Sequence, residues 1–297
     1  MTGTNGDAAD RGRRVAPAPG AAAETEHGDA TRESLPVDER LERDMLRALH
    51  AGADADTRER LGLRLEEIDG TLVSVAARDP SIMLNRALGL GLARPATAAT
   101  VQAIHARYRD AGIGRFFLHV HAQARPAGIE ALLEDAGLRP HRRWMKFARG
   151  PEPPPAAEST LAVRAIGTQH ARDFGRIAAA AFDLAPAAAA LFPGLAGRPG
   201  CRLYMSFEGD TPAGTGLLYV DGDDAWLDWG ATDPAFRGRG SQRALLARRI
   251  ADAAAAGCTR LWTCTGEAVP GDPQHSYHNI EWAGFRAEYA RANWIPA

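Results

Sequence analysis

Apolar and polar residues in the first part of the chain follow the spacings of helices and strands. Asp38 is placed as the N-cap of a helix, and the apolar face of that helix carries Leu41, Met45, Leu46 and Leu49. Alternation on both sides of Asp69 and Gly70 predicts a tight β-hairpin at these two residues. The pattern then predicts a helix, a strand, a helix and a strand, at 96–110, at 115–120, ending near 136 and at 142–148.

A second series of elements follows the proline-rich segment 151–160, which is typical of a linker. In chain order it contains a strand, a helix, a hairpin, a strand, a helix, a strand, a short helix and a strand, predicted at 161–166, 169–182, 202–220, 224–232, 241–256, 259–265, 273–283 and 288–295. We therefore expect domains at 37–150 and 161–297. Residues 1–36 lack apolar periodicity, which predicts a disordered tail.

The two series repeat each other. The run "EDAGLRPHRRWMKF" from Glu134 aligns with "EWAGFRAEYARANW" from Glu281, and both contain Glu-x-Ala-Gly-x-Arg. Upstream, "AGIGRFFLHV" aligns with "AAGCTRLWTC" at nearly the same offset. The repeat predicts that one α/β unit has been duplicated in tandem.

Composition excludes several classes of partner. The formal charge of −2 over 297 residues provides no basic field for nucleic acid. No apolar run approaches the roughly 18 residues of a membrane span, and no secretory signal is visible, so we expect a cytoplasmic location. The three cysteines have no metal-ligand spacing, and we expect no metal.

A glycine-rich turn precedes the helical run that starts at Ser241. Gly238 and Gly240 leave space near the backbone, and a helix N-terminus attracts phosphate. Arg237, Arg239 and Arg243 add positive charge, although an ordinary turn with solvated arginines is the alternative for a lone Gly-x-Gly. The corresponding region 86–97 keeps two glycines but has leucines in place of the arginines. Only the second half is therefore expected to bind an anionic cofactor.

The order strand, turn, helix, strand, short helix, Ala283-Gly284-Phe285 and final strand resembles the GNAT acyltransferase superfamily. The resemblance implies an α/β fold with a mixed, mostly antiparallel sheet flanked by helices, in a tandem arrangement similar to that of mycothiol synthases. It also implies acetyl-coenzyme A as acyl donor, held by an Arg-x-x-Gly-x-Gly or Ala turn in which Gln242 here occupies the usual small position. The expected cofactor-binding residues are Ala231, Thr232, Arg237, Gly238, Arg239, Gly240, Ser241, Gln242 and Asn279. A glutamate at position 240 should then block the cofactor without unfolding the chain.

Direct transfer requires a neutral amine, so a base must accept its proton. Asp228 and Glu267 are the candidate bases, and the alternative for each is a solvated or ion-paired carboxylate. The family's usual acid is a tyrosine at the position of Ile280. Tyr277, or more weakly Ser276, is the candidate to replace it, while core packing or capping is the alternative.

These features predict an N-acetyltransferase that moves an acetyl group to a primary amine of a small molecule or peptide. The rival is a non-catalytic coenzyme A sensor or an interaction scaffold with the same fold. The sequence leaves open an antibiotic, an amino acid, a polyamine or a peptide N-terminus as acceptor, and it leaves open the acyl-chain preference and the oligomeric state.

Overall fold

The computed structural model describes residues 34–297, and the predicted tail lies outside the described residues as far as residue 33. Its first half contains four helices and five strands within those residues. They are α1 (Val37–Gly52), α2 (Ala55–Leu61), β1 (Leu63–Ile68), β2 (Thr71–Ala76), β3 (Arg86–Leu88), α3 (Ala98–Asp110), β4 (Phe117–Val120), α4 (Ile129–Asp135) and β5 (Leu138–Arg149).

The second half repeats this alternation after the segment 151–160. Its elements are β6 (Ala162–Ile166), α5 (Ala171–Ala181), β7 (Cys201–Glu208), β8 (Thr211–Asp221), β9 (Asp224–Thr232), α6 (Ser241–Ala255), β10 (Arg260–Gly266), α7 (His275–Trp282) and β11 (Arg286–Pro296). Short 3₁₀ turns at 168–170, 186–191, 193–195 and 234–236 join some of them.

Within residues 34–297 the eleven strands form one sheet, in the order β1-β2-β3-β4-β11-β5-β10-β9-β8-β7-β6. Only the pairs β3/β4 and β9/β10 are parallel. The predicted mixed, mostly antiparallel sheet flanked by helices is thus confirmed. The predicted hairpin is also present, because Ile68 pairs with Thr71 around Asp69 and Gly70, which both have positive φ.

The halves exchange their last strands. β5 ends the first half but pairs with β10, and β11 ends the second half but pairs with β4. The two exchanged strands lie antiparallel at the centre of the sheet, where Trp144 pairs with Arg291. These two residues are also equivalent in the repeat that aligns Glu134 with Glu281. The pairing therefore places an approximate twofold axis of the repeat at Trp144 and Arg291.

Residues 35–297 form one compact unit. A cut within 151–160 would remove from each half a strand that lies between two strands at the centre of the sheet. The proposed division into two domains stays a prediction. Apolar side chains of α1 and α5 pack on one side of the sheet, and those of α6 and α7 form a separate cluster against it.

One helix start was predicted wrongly. Pro36, not Asp38, is the N-cap of α1, and Asp38 lies in the first turn. Its carboxylate is buried and accepts a hydrogen bond of 2.6 Å from Tyr289 of β11. The sequence favoured the cap because a short acidic side chain often caps a helix locally, whereas this partner lies 251 residues away.

Candidate active site

The glycine turn leaves the N-terminus of α6 open. Gly238 and Gly240 have φ values of +74° and +80°, which side chains rarely adopt. Gly240 is the N-cap of α6, and no side chain of the described residues caps it. The Ser241 hydroxyl is hydrogen-bonded instead to the hydroxyl of Ser206, at 2.8 Å. The first backbone amides of α6 are therefore available to a ligand.

A cavity of about 970 Å³ opens beside these amides, and we call it the outer cavity. Eight of the nine predicted cofactor-binding residues line it: Ala231, Thr232, Arg237, Gly238, Gly240, Ser241, Gln242 and Asn279. Arg239 does not. Its guanidinium donates to Glu208 at 2.6 Å and to Thr160 at 3.1 Å, so a structural ion pair occupies the charge that the sequence assigned to the cofactor.

Two side chains at the outer cavity were not among the predicted binding residues. Arg243 lines the cavity, donates to Asn279 at 3.1 Å and lies over the ring of Trp282. Its position two residues into α6 was the available signal. Trp282 also lines the cavity, and only the folding of α7 onto α6 shows this.

The sheet opens where β9 and β10 part. They pair only from Asp224 to Trp226 and from Arg260 to Trp262. In β9 a bulge then sets Trp229 and Gly230 opposite the single residue Gly216. Trp229 has a φ of +49°, as expected at a strained bulge.

Arg249 of α6 fixes this bulge. It is buried, and its Nη1 donates to the carbonyl oxygens of Leu217 and Asp228 at 3.0 and 3.1 Å. Burial lowers the pKa of Arg249 to about 10, so it stays charged at neutral pH. No carboxylate of the described residues forms an ion pair with it.

A second cavity of about 270 Å³ lies at the opening between the strands, and we call it the inner cavity. It shares five lining residues with the outer cavity: Phe182, Gly230, Gln242, Ser276 and Asn279. The first half of the chain contributes Glu42, Met83, Arg86 and Trp144 to its wall. A ligand held at α6 can therefore meet a second ligand where the cavities join.

Asp228 is the predicted base that lies at this site. Its carboxylate lines the inner cavity and accepts hydrogen bonds from the Trp229 amide at 2.7 Å and from Trp226 Nε1 at 3.1 Å. Burial raises the pKa of Asp228 above its ordinary value of 3.8. A raised pKa makes the carboxylate a better proton acceptor near neutral pH.

Glu267, the other predicted base, lines neither cavity. Its two oxygens accept hydrogen bonds from the backbone amide and the guanidinium of Arg143, at 2.9 and 2.8 Å. Although burial alone would raise the pKa of Glu267, its hydrogen bonds with Arg143 lower it. This is the ion-paired alternative weighed in the sequence.

The two predicted acids separate in the same way. Ser276 lines both cavities. Tyr277 lines neither, and its ring packs edge-on against Phe147 with centroids 4.9 Å apart. Cys264 lines the inner cavity, but burial raises its pKa to about 12, so the thiol stays protonated and is a poor nucleophile.

The corresponding turn of the first half is filled. Space next to Gly89 is occupied by the guanidinium of Arg43, which donates to the carbonyl oxygen of Gly70 at 2.7 Å. The backbone of Arg125 lies against Gly91. The Thr97 hydroxyl caps α3 by accepting a hydrogen bond of 3.1 Å from the Thr100 amide. This helix end lacks the open amides of α6.

Within residues 34–297, no helix is long and apolar enough to cross a bilayer. In the same part of the chain, no group of three or more histidine, cysteine, aspartate or glutamate side chains is placed to hold a metal ion.

Comparisons with known proteins agree with this geometry. Residues 171–278 match the family model described as acetyltransferase (GNAT) family. The fold is similar to that of a GCN5-related N-acetyltransferase from Kribbella flavida, with a TM-score of 0.60 at 15% identity over 88% of this chain and 95% of that one. A GCN5-related N-acetyltransferase from Sphaerobacter thermophilus gives a TM-score of 0.56 at 18% identity, over 89% and 92%.

A tandem GNAT protein from the clavulanic acid biosynthesis pathway has a TM-score of 0.52 at 15% identity, with 76% of this chain and 78% of that one covered. A search of curated proteins gave no match. The identities are too low to carry more than the fold, and the family assignment rests on residues 171–278. The chain therefore contains a domain of the GNAT acetyltransferase family.

Proposed function

We propose that this protein is an acetyl-coenzyme A dependent N-acetyltransferase that acts on a primary amine of a small molecule or peptide by direct transfer. The observation that carries the proposal is the meeting of two cavities. One lies against the uncapped α6 and the other against Asp228, and both reach Gly230 and Ser276. A donor and an acceptor can thus approach each other at one place.

The residues around α6 fit the anionic donor. Open amides of the first turn, together with Arg237 and Arg243, favour a pyrophosphate, because helix N-termini and guanidinium groups both bind phosphate oxygens. When bound, acetyl-coenzyme A supplies an acetyl group activated as a thioester. The backbone amide of Gly230, at the junction, is the group we assign to stabilise negative charge on the thioester oxygen.

Proton transfer falls to two side chains in this proposal. Asp228 accepts the proton from the acceptor ammonium or amine, directly or through water, so that nitrogen can attack with a free lone pair. Ser276 is the hydroxyl at the junction that can return a proton to the leaving thiolate. Arg249 acts through the bulge by holding the carbonyl of Asp228 in place.

We also propose that the chain contains two duplicated units, at 37–150 and 161–297, of which only the second binds the cofactor. The exchange of β5 and β11 and the different helix ends of α3 and α6 support this.

Release of free coenzyme A in the presence of an amine panel tests the proposed function. We expect release that depends on the amine, with a matching acetylated product found by mass spectrometry. Binding of acetyl-coenzyme A without turnover of any amine would instead identify a sensor or scaffold.

Charge reversal at Arg237 tests the cofactor site. We expect Arg237→Glu to weaken acetyl-coenzyme A binding at least tenfold, because a charge-assisted hydrogen bond is worth about 1.5–3 kcal/mol. Arg239→Glu is the matched control, since it makes the same change two residues away on a side chain that faces Glu208. Calorimetric titration of both variants measures the effect, and equal affinities in the two variants would exclude Arg237 from the site.

A glutamate at Gly240 is a poor test, contrary to the sequence expectation. The structure directs a Cβ at this position against the backbone of Glu158 and Ser159, and the φ of +80° is strained for any side chain. Gly240→Glu is therefore expected to disturb the turn itself as well as the cofactor.

A further inference from the structure

The inner cavity is walled by a buried arginine that the proposed chemistry does not use. Arg86 of β3 lines this cavity and is only 3% exposed. Its Nη1 donates to Glu42 at 2.9 Å. Its Nε and Nη2 donate to no oxygen of the described residues, and Nε is fully buried. An arginine has five N–H donors, so most of this guanidinium is unused.

Glu42 does not consume the charge of Arg86. Its two carboxylate oxygens also accept hydrogen bonds from Lys146 at 2.5 Å and from Arg291 at 2.6 and 3.2 Å. Lys146 and Arg291 do not line the cavity. One carboxylate is thus shared among three cations, and Arg86 is the one that faces the ligand space.

The other charged groups at the cavity leave the same excess. Asp228 is a carboxylate whose pKa burial raises, and Arg249 bonds only to carbonyl oxygens. Two arginines therefore line a small cavity in which the single fully ionised carboxylate, Glu42, is already surrounded by cations. A buried arginine with free donors favours a carboxylate that it can bind through two parallel hydrogen bonds.

The position of Arg86 orients such a ligand. Arg86 lines the inner cavity alone, whereas Gly230 and Ser276 line both cavities. A ligand with its carboxylate at Arg86 extends toward the junction, where its amine comes within reach of Asp228 and of the donor. The aromatic rings of Trp144, Trp226 and Trp229 line the space between with apolar surface.

From this arrangement, and on the basis of the proposed function, we infer that the acceptor is a small amine that also carries a carboxylate, an amino acid or a close relative, with Arg86 as its carboxylate anchor. The cavity volume of 270 Å³ lies at the small end of the range for ligand sites, about 300–1,000 Å³, which agrees with a compact acceptor. Polyamines lack the group that Arg86 would bind.

Matched pairs of ligands test this inference with the full-length protein. The probes are the common L-amino acids, β-alanine and γ-aminobutyrate, each beside its carboxamide, which keeps the amine and removes the negative charge. Binding is measured by calorimetry in saturating coenzyme A, and acetylation is measured in parallel as kcat/KM. We expect at least one acid to bind ten- to a hundredfold more tightly than its amide, which is the range of one charge-assisted contact.

The variant Arg86→Gln should bring this preference close to one and leave the affinity for acetyl-coenzyme A unchanged, which also shows that the variant is folded. Arg86→Lys should restore part of the preference, because the charge remains and the planar fork is lost. A purely structural Arg86 would change stability without changing the ratio of acid to amide.

The outcomes separate this inference from the proposed function. Amine turnover without preference for a carboxylate, or a preference that survives Arg86→Gln, would overturn the assignment of Arg86 and leave the transferase intact. Binding of an amino acid that depends on Arg86, without acetylation of any probe, would support the carboxylate anchor and contradict the transferase. The absence of binding by every carboxylate probe would overturn the anchor.

Discussion

Replacing Asp228 by asparagine is expected to lower kcat by about 100- to 1,000-fold, since a positioned general base contributes roughly 10²–10⁴-fold. The affinity for acetyl-coenzyme A should change little, because Asp228 lines the inner cavity but not the outer one. Asparagine retains the shape of the side chain and an oxygen for the Trp229 amide, so the bulge should persist. Steady-state kinetics with the best amine of the panel measures the change.

The pH dependence gives this prediction a sign. A carboxylate base is lost as pH falls through its pKa, and burial raises the pKa of Asp228 above 3.8. In the unsubstituted protein, kcat/KM should therefore fall on the acid side of neutrality at a pH above the ordinary range of a carboxyl group. In Asp228→Asn this limb should disappear, and activity should recover partly at high pH, where the free amine is already neutral.

Glu267→Gln is the matched control for Asp228→Asn, because it makes the same chemical change at a carboxylate paired with Arg143 and outside both cavities. We expect less than a threefold effect on kcat. An unchanged pH profile in Asp228→Asn, together with a large loss in Glu267→Gln, would reverse the assignment of the base.

Glu42→Gln is expected to reduce the free energy of unfolding by about 3–5 kcal/mol, the usual cost of breaking a buried ion pair from one side. Glu42 is 1% exposed and accepts from Arg86, Lys146 and Arg291, which are themselves buried. Glutamine leaves these three cations without their shared anion. Denaturant unfolding at neutral pH measures the loss.

This effect should also depend on pH. Burial alone would raise the pKa of Glu42, but Arg291, Lys146 and Arg86 lower it well below 4.5. A carboxyl group whose folded pKa is lowered stabilises the protein above its unfolded pKa, and this contribution is lost as pH falls toward the folded value. The difference between Glu42→Gln and the unsubstituted protein should thus be largest near pH 7 and shrink below about pH 4.

Glu66→Gln is the control for stability, since Glu66 pairs with Arg107 at the surface, where both side chains are at least a third exposed. Its expected cost is within about 0.5 kcal/mol. Equal stability of Glu42→Gln and Glu66→Gln would show that the buried cluster does not depend on its central carboxylate.

Local patterns explain why much of the second half was predictable. The turn at Gly238 and Gly240, the helix after it and the hairpin at Asp69 depend on neighbouring residues, and all three are present. Asp228 was identified because its strand carries the bulge. The parting of β9 and β10 follows from the fold that the resemblance implied.

The remainder depends on contacts between distant residues. Glu42 and Arg86 gave no signal in the sequence, because a charged residue on a helix or a short strand ordinarily faces solvent. Only the exchange of β5 and β11 brings Lys146 and Arg291 to Glu42. The same exchange brings Arg143 to Glu267, which removed that residue from the candidate bases. Arg239 failed for a similar reason, since Glu208 lies on a different strand.

The number of acetyl-coenzyme A molecules bound per chain tests the central claim most directly, because α6 has an open N-terminus and α3 is capped by Thr97. Calorimetric titration of the full-length protein should give one site per chain, and the double variant with Arg237→Glu and Arg243→Glu should abolish the measurable binding. Two sites per chain, or one site that the double variant leaves intact, would contradict the placement of the cofactor at α6.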